Sequence, residues 1–272
     1  TNLLPLVVYF WLLVGLIERW CETDWAKIFA CCAASWGTFL TTFAVTLSNH
    51  LPAAICTLIA LHVFISIWYD EKLNPWLFVC AGFAAAFAAA NELPAASLLG
   101  LLGLALLYKD WRRTLLFGVP AVATIVVAFF VLCYVGHGSW RPPYMHRNSD
   151  VAGTGENGDD NWYDYENSHW SKEKTGVDAG EPSKVIYAFH SLVGHHGVFS
   201  LTPIWILSFA GMIALLFGAK MAGRFQMRWL GLLSVTLSLV VVTFYIMRPP
   251  MDRNYGGVTS ALRWLFWLAP VW

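Results

Sequence analysis

The apolar residues of this chain come in runs of the length a bilayer demands, and this constrains its folding more than any motif it carries. The hydrocarbon core of a membrane takes roughly 20 apolar residues of helix. Runs of that order, bounded by charge, Pro or Gly, occupy residues 3–17, 28–47, 51–69, 76–90, 95–108, 115–135, 201–217 and 229–247, and another opens at Leu262. As one helix, residues 75–107 would measure about 50 Å, beyond a core of about 30 Å. The stretch is therefore expected to divide at Asn91-Glu92-Leu93-Pro94. Composition agrees with spans rather than soluble domains. Only 12% of residues are charged, against about 25% in soluble proteins. With 58% apolar residues and 17 cations against 17 anions, the chain is not disordered, collagen-like, a coiled coil or a nucleic-acid binder.

The expected fold class is all-α: a polytopic transmembrane helical bundle of about eight complete spans plus one truncated, with one long extracytoplasmic loop. Residues 1–135 would hold transmembrane helices 1 to 6, residues 136–200 the loop with a short interfacial helix, and residues 201–272 helices 7 to 9. The chain begins at Thr1 without a Met or a charged leader and stops at Trp272 inside its last apolar run. It is expected to be a fragment of a longer protein.

Alternating the connections collects Arg19, Lys27, Lys72, Lys109, Arg112, Arg113, Lys220, Arg224 and Arg228 on one face, all in short loops. On the other face, Arg141, Arg147, Lys172, Lys174 and Lys184 belong to one long segment that orientation rules discount, which leaves Arg248, Arg253 and Arg263. The first face is thus assigned to the cytoplasm, and segment 136–182 to the periplasm or cell exterior. Trp20, Trp25, Trp68, Trp76, Trp111, Trp229 and Trp264 fall near the expected span ends, where indole rings favour the headgroup level. The cysteines lie in or beside apolar segments with no CxxC or Cys/His spacing, and read as small buried thiols.

A short repeat lies on the exterior side: Asn49-His50-Leu51-Pro52-Ala53-Ala54 and Asn91-Glu92-Leu93-Pro94-Ala95-Ala96. Asn favours N-caps and Pro suits a first helical turn, so both units read as helix starts whose free N–H groups attract an anion such as phosphate. His50 and Glu92 fill the one variable position. Because the runs around Glu92 are short, its turn is expected below the surface in a cavity, where an ionisable group marks a functional site; two capped turns with a solvated His and Glu is the plainer reading.

The loop at 136–182 holds nine acids against four cations and no cysteine. Its middle, Gly153-Thr-Gly-Glu-Asn-Gly-Asp-Asp-Asn161, is rich in turn formers. Trp162-Tyr163-Asp164-Tyr165-Glu166 suits stacking on a sugar or a solvated loop. No cofactor is expected; Asp159, Asp160 and Asp164 would be a divalent site only without any calcium-loop spacing. Residues 183–193 read as an amphipathic interfacial helix capped by Ser183. In Gly194-His195-His196-Gly197 the two imidazoles are candidates for hydrogen bonding a phosphate or sugar, against a plain interfacial turn; adjacent histidines make a weak metal site. In the last exterior segment Arg248, Arg253 and Arg263 surround Asn254 and Tyr255, and Arg263 opens the final run at the depth of a lipid phosphate, whether of a substrate or of ordinary lipid.

The order of three motifs resembles the GT-C superfamily of membrane glycosyltransferases that use polyprenyl-phosphate sugars, in particular its bacterial mannosyltransferase and arabinosyltransferase-like members. They are Ala89-Ala-Asn-Glu-Leu-Pro-Ala-Ala96, Gly194-His-His-Gly-Val-Phe-Ser-Leu-Thr-Pro203 and Asn254-Tyr-Gly-Gly-Val-Thr-Ser-Ala-Leu-Arg-Trp264. The resemblance implies transfer of a sugar from a lipid-phosphate donor to an acceptor on the exterior face, with inversion. The family's catalytic carboxylate lies in the first exterior loop, and no exterior loop near the start of this chain carries one. The general base is therefore expected outside the fragment, with Glu92 as the intramembrane acid that would stand in. Arg263 would hold the lipid phosphate, with Glu92, His50 and Asn254 near the sugar and Asn91, Tyr255, His195 and His196 as further contacts. The partners implied are a polyprenyl-phosphate sugar and membrane lipids, with no nucleic acid. The rival reading is a transporter with its substrate site at a helix break at Asn91-Glu92; a non-catalytic scaffold is a third.

Overall fold

The computed structural model describes residues 2–38, 40–45, 48–146, 162–163, 165–168, 175–176, 179–217, 227–256 and 262–272. Among these the chain is all-helical. Its main helices are α1 (Leu3–Trp20), α2 (Asp24–Trp36), α3 (Leu40–Ala44), α4 (His50–Trp68), α5 (Pro75–Asn91), α6 (Ala96–Arg113), α7 (Val119–His137), α8 (Lys184–Leu192), α9 (Val198–Leu201), α10 (Ile204–Leu216) and α11 (Arg228–Ile246). Four helical stretches are long and apolar enough to cross a membrane: α1, α4, the continuous run from Leu93 to His137, and α11.

The most buried of these is α4. Of its apolar window 72% is buried, against 11% for α1, so α4 forms the axis of the bundle and α1 its edge. A helix apolar on every side is stable only when neighbours or lipid surround it; here α1, α5 and the C-terminal stretch do so. Side by side with α4 lies α5, through a run of buried alanines (Ala81, Ala84, Ala85 and Ala88). Small residues let helix backbones approach closely, which is how membrane helices gain packing energy without a hydrophobic driving force. Closest of all is the approach of α5 to the start of α7: a Cβ placed on Gly82 would lie 2.5 Å from the Gly118 carbonyl oxygen.

The run Leu93–His137 is not one straight rod. Asp110 leaves helical geometry (φ −155°, ψ 90°), and a π-turn at Thr114–Gly118 follows. The chain thereby travels away from the α5 C-terminus along α6, then returns along α7 with Gly118 against Gly82. Such sharp bends need a local cause; here Asp110 caps the new turn, its carboxylate accepting from the Arg113 amide (3.0 Å).

Three expected spans take other forms, and one of them, 201–217, is divided between α9 and the 13-residue α10. The run at 28–47 is interrupted, because α2 ends at Trp36 and Gly37-Thr38 separates it from the short α3. At 13 residues, α2 extends about 20 Å, less than a bilayer core. The stretch opening at Leu262 does not start a lipid-facing span. It forms a 3-10 segment, Arg263–Leu268, whose Trp267 and Leu268 are fully buried, and it packs against α4. Trp272 lies against Trp205 and donates to Ser238 Oγ (2.9 Å).

Contacts at the helix ends define two poles. At one, Arg19 pairs with Asp70, Lys109 reaches Glu71 and the Trp68 carbonyl at 3.4 Å, and the Leu230 amide donates to Tyr69 Oη (3.1 Å). At the other, the ends of α4, α5, α7 and α11 surround a cavity.

Candidate functional site

The cavity measures about 1040 Å³ and is built from segments far apart in sequence. Its floor is Ala86, Ala89 and Ala90 of α5, and one wall is Ile125, Val126, Phe129 and Phe130 of α7. Across from this apolar trough stand Asn49, His50, Asn91, Glu92, Arg248 and Arg263. The site is therefore amphipathic: an apolar trough that ends at a cluster of polar and charged groups. A pocket with few convergent polar groups on an apolar wall is the usual form of a binding site.

The polar end is organised by the two repeat units, which meet each other. Asn49 Nδ2 donates to the Asn91 carbonyl (2.7 Å) and to Glu92 Oε1 (2.9 Å). His50 Nδ1 pairs with the same Glu92 oxygen. His50 and Glu92 are 7% and 6% exposed, so little of either faces solvent and their contacts with each other and with Asn49 matter more than they would at the surface. Neither asparagine acts as a helix N-cap. Asn49 occupies the capping position of α4 with its side chain turned to Glu92, and Asn91 is the last residue of α5, donating back to the Phe87 carbonyl (2.9 Å). The physical reason is that an unsatisfied buried carboxylate costs more than an uncapped helix turn, which has other partners. The turn Leu93–Ala95 is 3-10, and α6 begins only at Ala96.

Opposite this trio, Tyr245 and Trp264 stack with ring centres 5.2 Å apart, and the Arg248 guanidinium lies over Trp264 at 5.5 Å. Arg248 also faces Asp252 at 3.4 Å. Arg263 differs: among the described residues it has no ion-pair or hydrogen-bond partner, and its Nε is buried. Its stem rests on Gly256, whose φ of +85° is a left-handed conformation that glycine adopts without strain. The α7 wall, Tyr245, Trp264 and Phe266 carried no signal in the sequence that set them apart from ordinary membrane-facing residues. Arg248 was visible as a charge at a span end.

The remaining candidates gather elsewhere. Asn254, Tyr255, His195 and His196 do not line the cavity; they form a second cluster with α8. Tyr187 Oη donates to the Asn254 carbonyl (2.9 Å), and Arg253 Nη1 donates to the Pro182 carbonyl (2.8 Å), which ties α8 to the segment after α11. His195 lies 4.1 Å from His190 and 4.9 Å from Tyr255, ring centre to ring centre, while His196 stacks on Tyr255 at 4.9 Å. His195 and His196 also contact each other through their Nδ1 atoms. Burial, and then neighbouring imidazoles, hold both histidines below the usual imidazole range. Burial pushes the Tyr187 hydroxyl up to about 12. The helix α8 has the expected cap, Ser183 Oγ accepting from the Ile186 amide (3.3 Å), and leaves Val185, Ile186 and Phe189 exposed.

In the long loop, Trp162 rests flat on His146, 3.7 Å away. Asp159, Asp160 and Asp164, and the turn-rich stretch 153–161, lie outside the described residues. Among the described residues no group of three or more His, Cys, Asp or Glu is placed to hold a metal ion. No protein-family model matches the chain, and no curated protein or solved structure matches it either.

Proposed function

We propose that this chain is part of an integral membrane glycosyltransferase of the GT-C type, which transfers a sugar from a polyprenyl-phosphate donor to an acceptor on the exterior face of a bacterial cytoplasmic membrane. The observation that carries the reading is Arg263. An arginine with a buried, unpartnered Nε lies at the mouth of an apolar trough, beside a second arginine on an aromatic stack. Among the described residues this guanidinium has no counter-ion, and its fork suits phosphate. The apolar trough suits a hydrocarbon chain attached to that phosphate. An amphiphile with an anionic head satisfies both at once, whereas a water-soluble substrate would leave the trough unused.

In this reading the donor phosphate sits between Arg263 and Arg248, the polyprenyl chain follows the α5 alanines, and the sugar reaches Asn49, His50 and Glu92. Developing charge on the leaving phosphate meets preorganised cations. The experiment is binding of undecaprenyl phosphate to the whole chain in lipid nanodiscs, read by native mass spectrometry, followed by transfer from a labelled polyprenyl-phosphate sugar. Arg263→Ala removes a charge-assisted contact worth about 1.5–3 kcal/mol, which predicts roughly 10- to 100-fold weaker binding. Equal binding by parent and variant would take Arg263 out of the site, and no binding by the parent would remove the proposed donor.

A further inference from the structure

We propose that His50 is the proton acceptor of this cavity and that Glu92 is its positioning residue. The inference rests on the transferase reading for its substrate, but its geometry stands apart from it. The argument begins with Glu92 Oε1, which accepts from Asn49 Nδ2 at 2.9 Å and also contacts His50 Nδ1. An oxygen that takes an amide N–H in this way is an acceptor, so the proton in the contact with His50 belongs to the imidazole. That places a hydrogen on Nδ1, so that in the neutral ring the lone pair is on Nε2. Nε2 has no hydrogen-bond partner among the described residues and is not among the buried unpartnered atoms, and His50 lines the cavity. The ring is held edge-on by Phe43 and Phe266, at 6.2 and 6.4 Å between centres. Its other cavity neighbours with charge or a titrating proton are Tyr144, Tyr245, Arg248 and Arg263.

This is the arrangement that general base catalysis uses: an imidazole with one nitrogen open to the substrate and the other fixed by a carboxylate that steadies the imidazolium once formed. Glu92 is less suited to the task itself, since one of its oxygens already serves two donors. In the transfer step the acceptor hydroxyl oxygen bonds to the anomeric carbon while its proton passes to His50 Nε2. The bond from that carbon to the phosphate oxygen breaks, and the phosphate leaves with the electron pair toward Arg263 and Arg248. The proton on His50 is later lost to water. A carboxylate base from outside the chain is not needed for this sequence.

The test has one readout that needs no substrate. With histidine labelled in 15N, ring nitrogen shifts report which nitrogen carries the hydrogen, and His50→Asn assigns the signal. The parent chain in nanodiscs should show His50 protonated on Nδ1. Glu92→Met should release it to the Nε2–H form that free imidazoles favour, and Glu92→Gln, which keeps an acceptor oxygen, should restore the parent pattern. In the transfer assay from a polyprenyl-phosphate sugar, His50→Ala should lower kcat by at least 100-fold with little change in KM, and added imidazole should recover part of the loss. Glu92→Gln should lower kcat about 10-fold or more, although the tautomer is restored, because the charge facing the imidazolium is gone. An Nε2–H ring in the parent, or the same tautomer in Glu92→Met, would overturn the proposal, as would transfer that is unchanged in His50→Ala. Should the tautomers behave as expected while undecaprenyl phosphate fails to bind, the pair stands and the transferase reading alone falls.

Discussion

The residues that meet in the cavity are 42 positions apart, and their meeting is the joining of two copies of one short motif. The variable position of Asn-x-Leu-Pro-Ala-Ala holds His in one copy and Glu in the other, and these become partners. The repeat was readable in the sequence, and so was the burial of Glu92. The pairing was not, because nothing in a single repeat unit says that its asparagine would turn from its own helix to a neighbour's carboxylate. The second histidine cluster gives a pH prediction at the same scale. His195 and His196 are held below the ordinary value, so the unfolded or opened turn takes up protons first as the medium is acidified. Their contribution to the closed turn is intact above the usual imidazole range, near pH 6.5, and declines as the pH falls from there toward their lowered values. Titration by NMR should place both midpoints below that of a model histidine, with amide exchange at residues 194–197 faster on the acid side. Midpoints at or above that of a free imidazole would count against the packing of these rings on each other and on Tyr255.

Among the elements, the contact of α5 with the start of α7 is the one most sensitive to a single methyl group. A Cβ on Gly82 would collide with the Gly118 backbone, which has no rotamer by which to yield. Gly82→Ala should therefore cost about 1–3 kcal/mol despite the better helix propensity of alanine, and Gly82→Leu more. Gly100→Ala and Gly211→Ala, where the added carbon meets nothing within 4 Å, should be neutral or stabilising. Thermal unfolding of the four variants in one detergent decides this, and equal midpoints for Gly82→Ala and Gly100→Ala would mean that α5 and α7 are not in contact. The same comparison shows what the sequence could convey about elements. The turn at Asn91–Pro94 was legible because Asn, Glu and Pro interrupt an apolar run that is too long for a bilayer. The break at Gly37-Thr38 was not, since no charge marks it and residues 28–47 keep the composition of a span. The C-terminal stretch also read as a span, because burial by protein and burial by lipid select the same residues; only packing against α4 tells Trp267 from a lipid-facing tryptophan.

At the scale of the whole molecule, polarity is arranged along the bundle, and this bears on which side the cavity faces. Arg19, Lys72 and Lys109 pair with Asp70 and Glu71 at one pole, at helix ends and in the short connection after α4, with one cation in excess, whereas the cavity pole keeps Arg263 without a counter-ion among the described residues. Charge in short loops is what orients a membrane protein during insertion. An unpaired arginine beside an apolar trough is, by contrast, a local cost that persists only where a ligand or lipid phosphate offsets it. The first pole is therefore expected in the cytoplasm and the cavity outside. The prediction can be read with single cysteines in a background where the six native cysteines, all free among the described contacts, are replaced by alanine. An impermeant maleimide applied to intact spheroplasts should label Ser139→Cys, beside the cavity pole, and spare Lys72→Cys until the membrane is opened. Labelling of both from the same side would mean that α4 and α7 do not carry their ends to opposite surfaces. Labelling of Lys72→Cys alone would invert the protein, and the proposed polyprenyl-phosphate donor would then have to be met from the cytoplasmic leaflet.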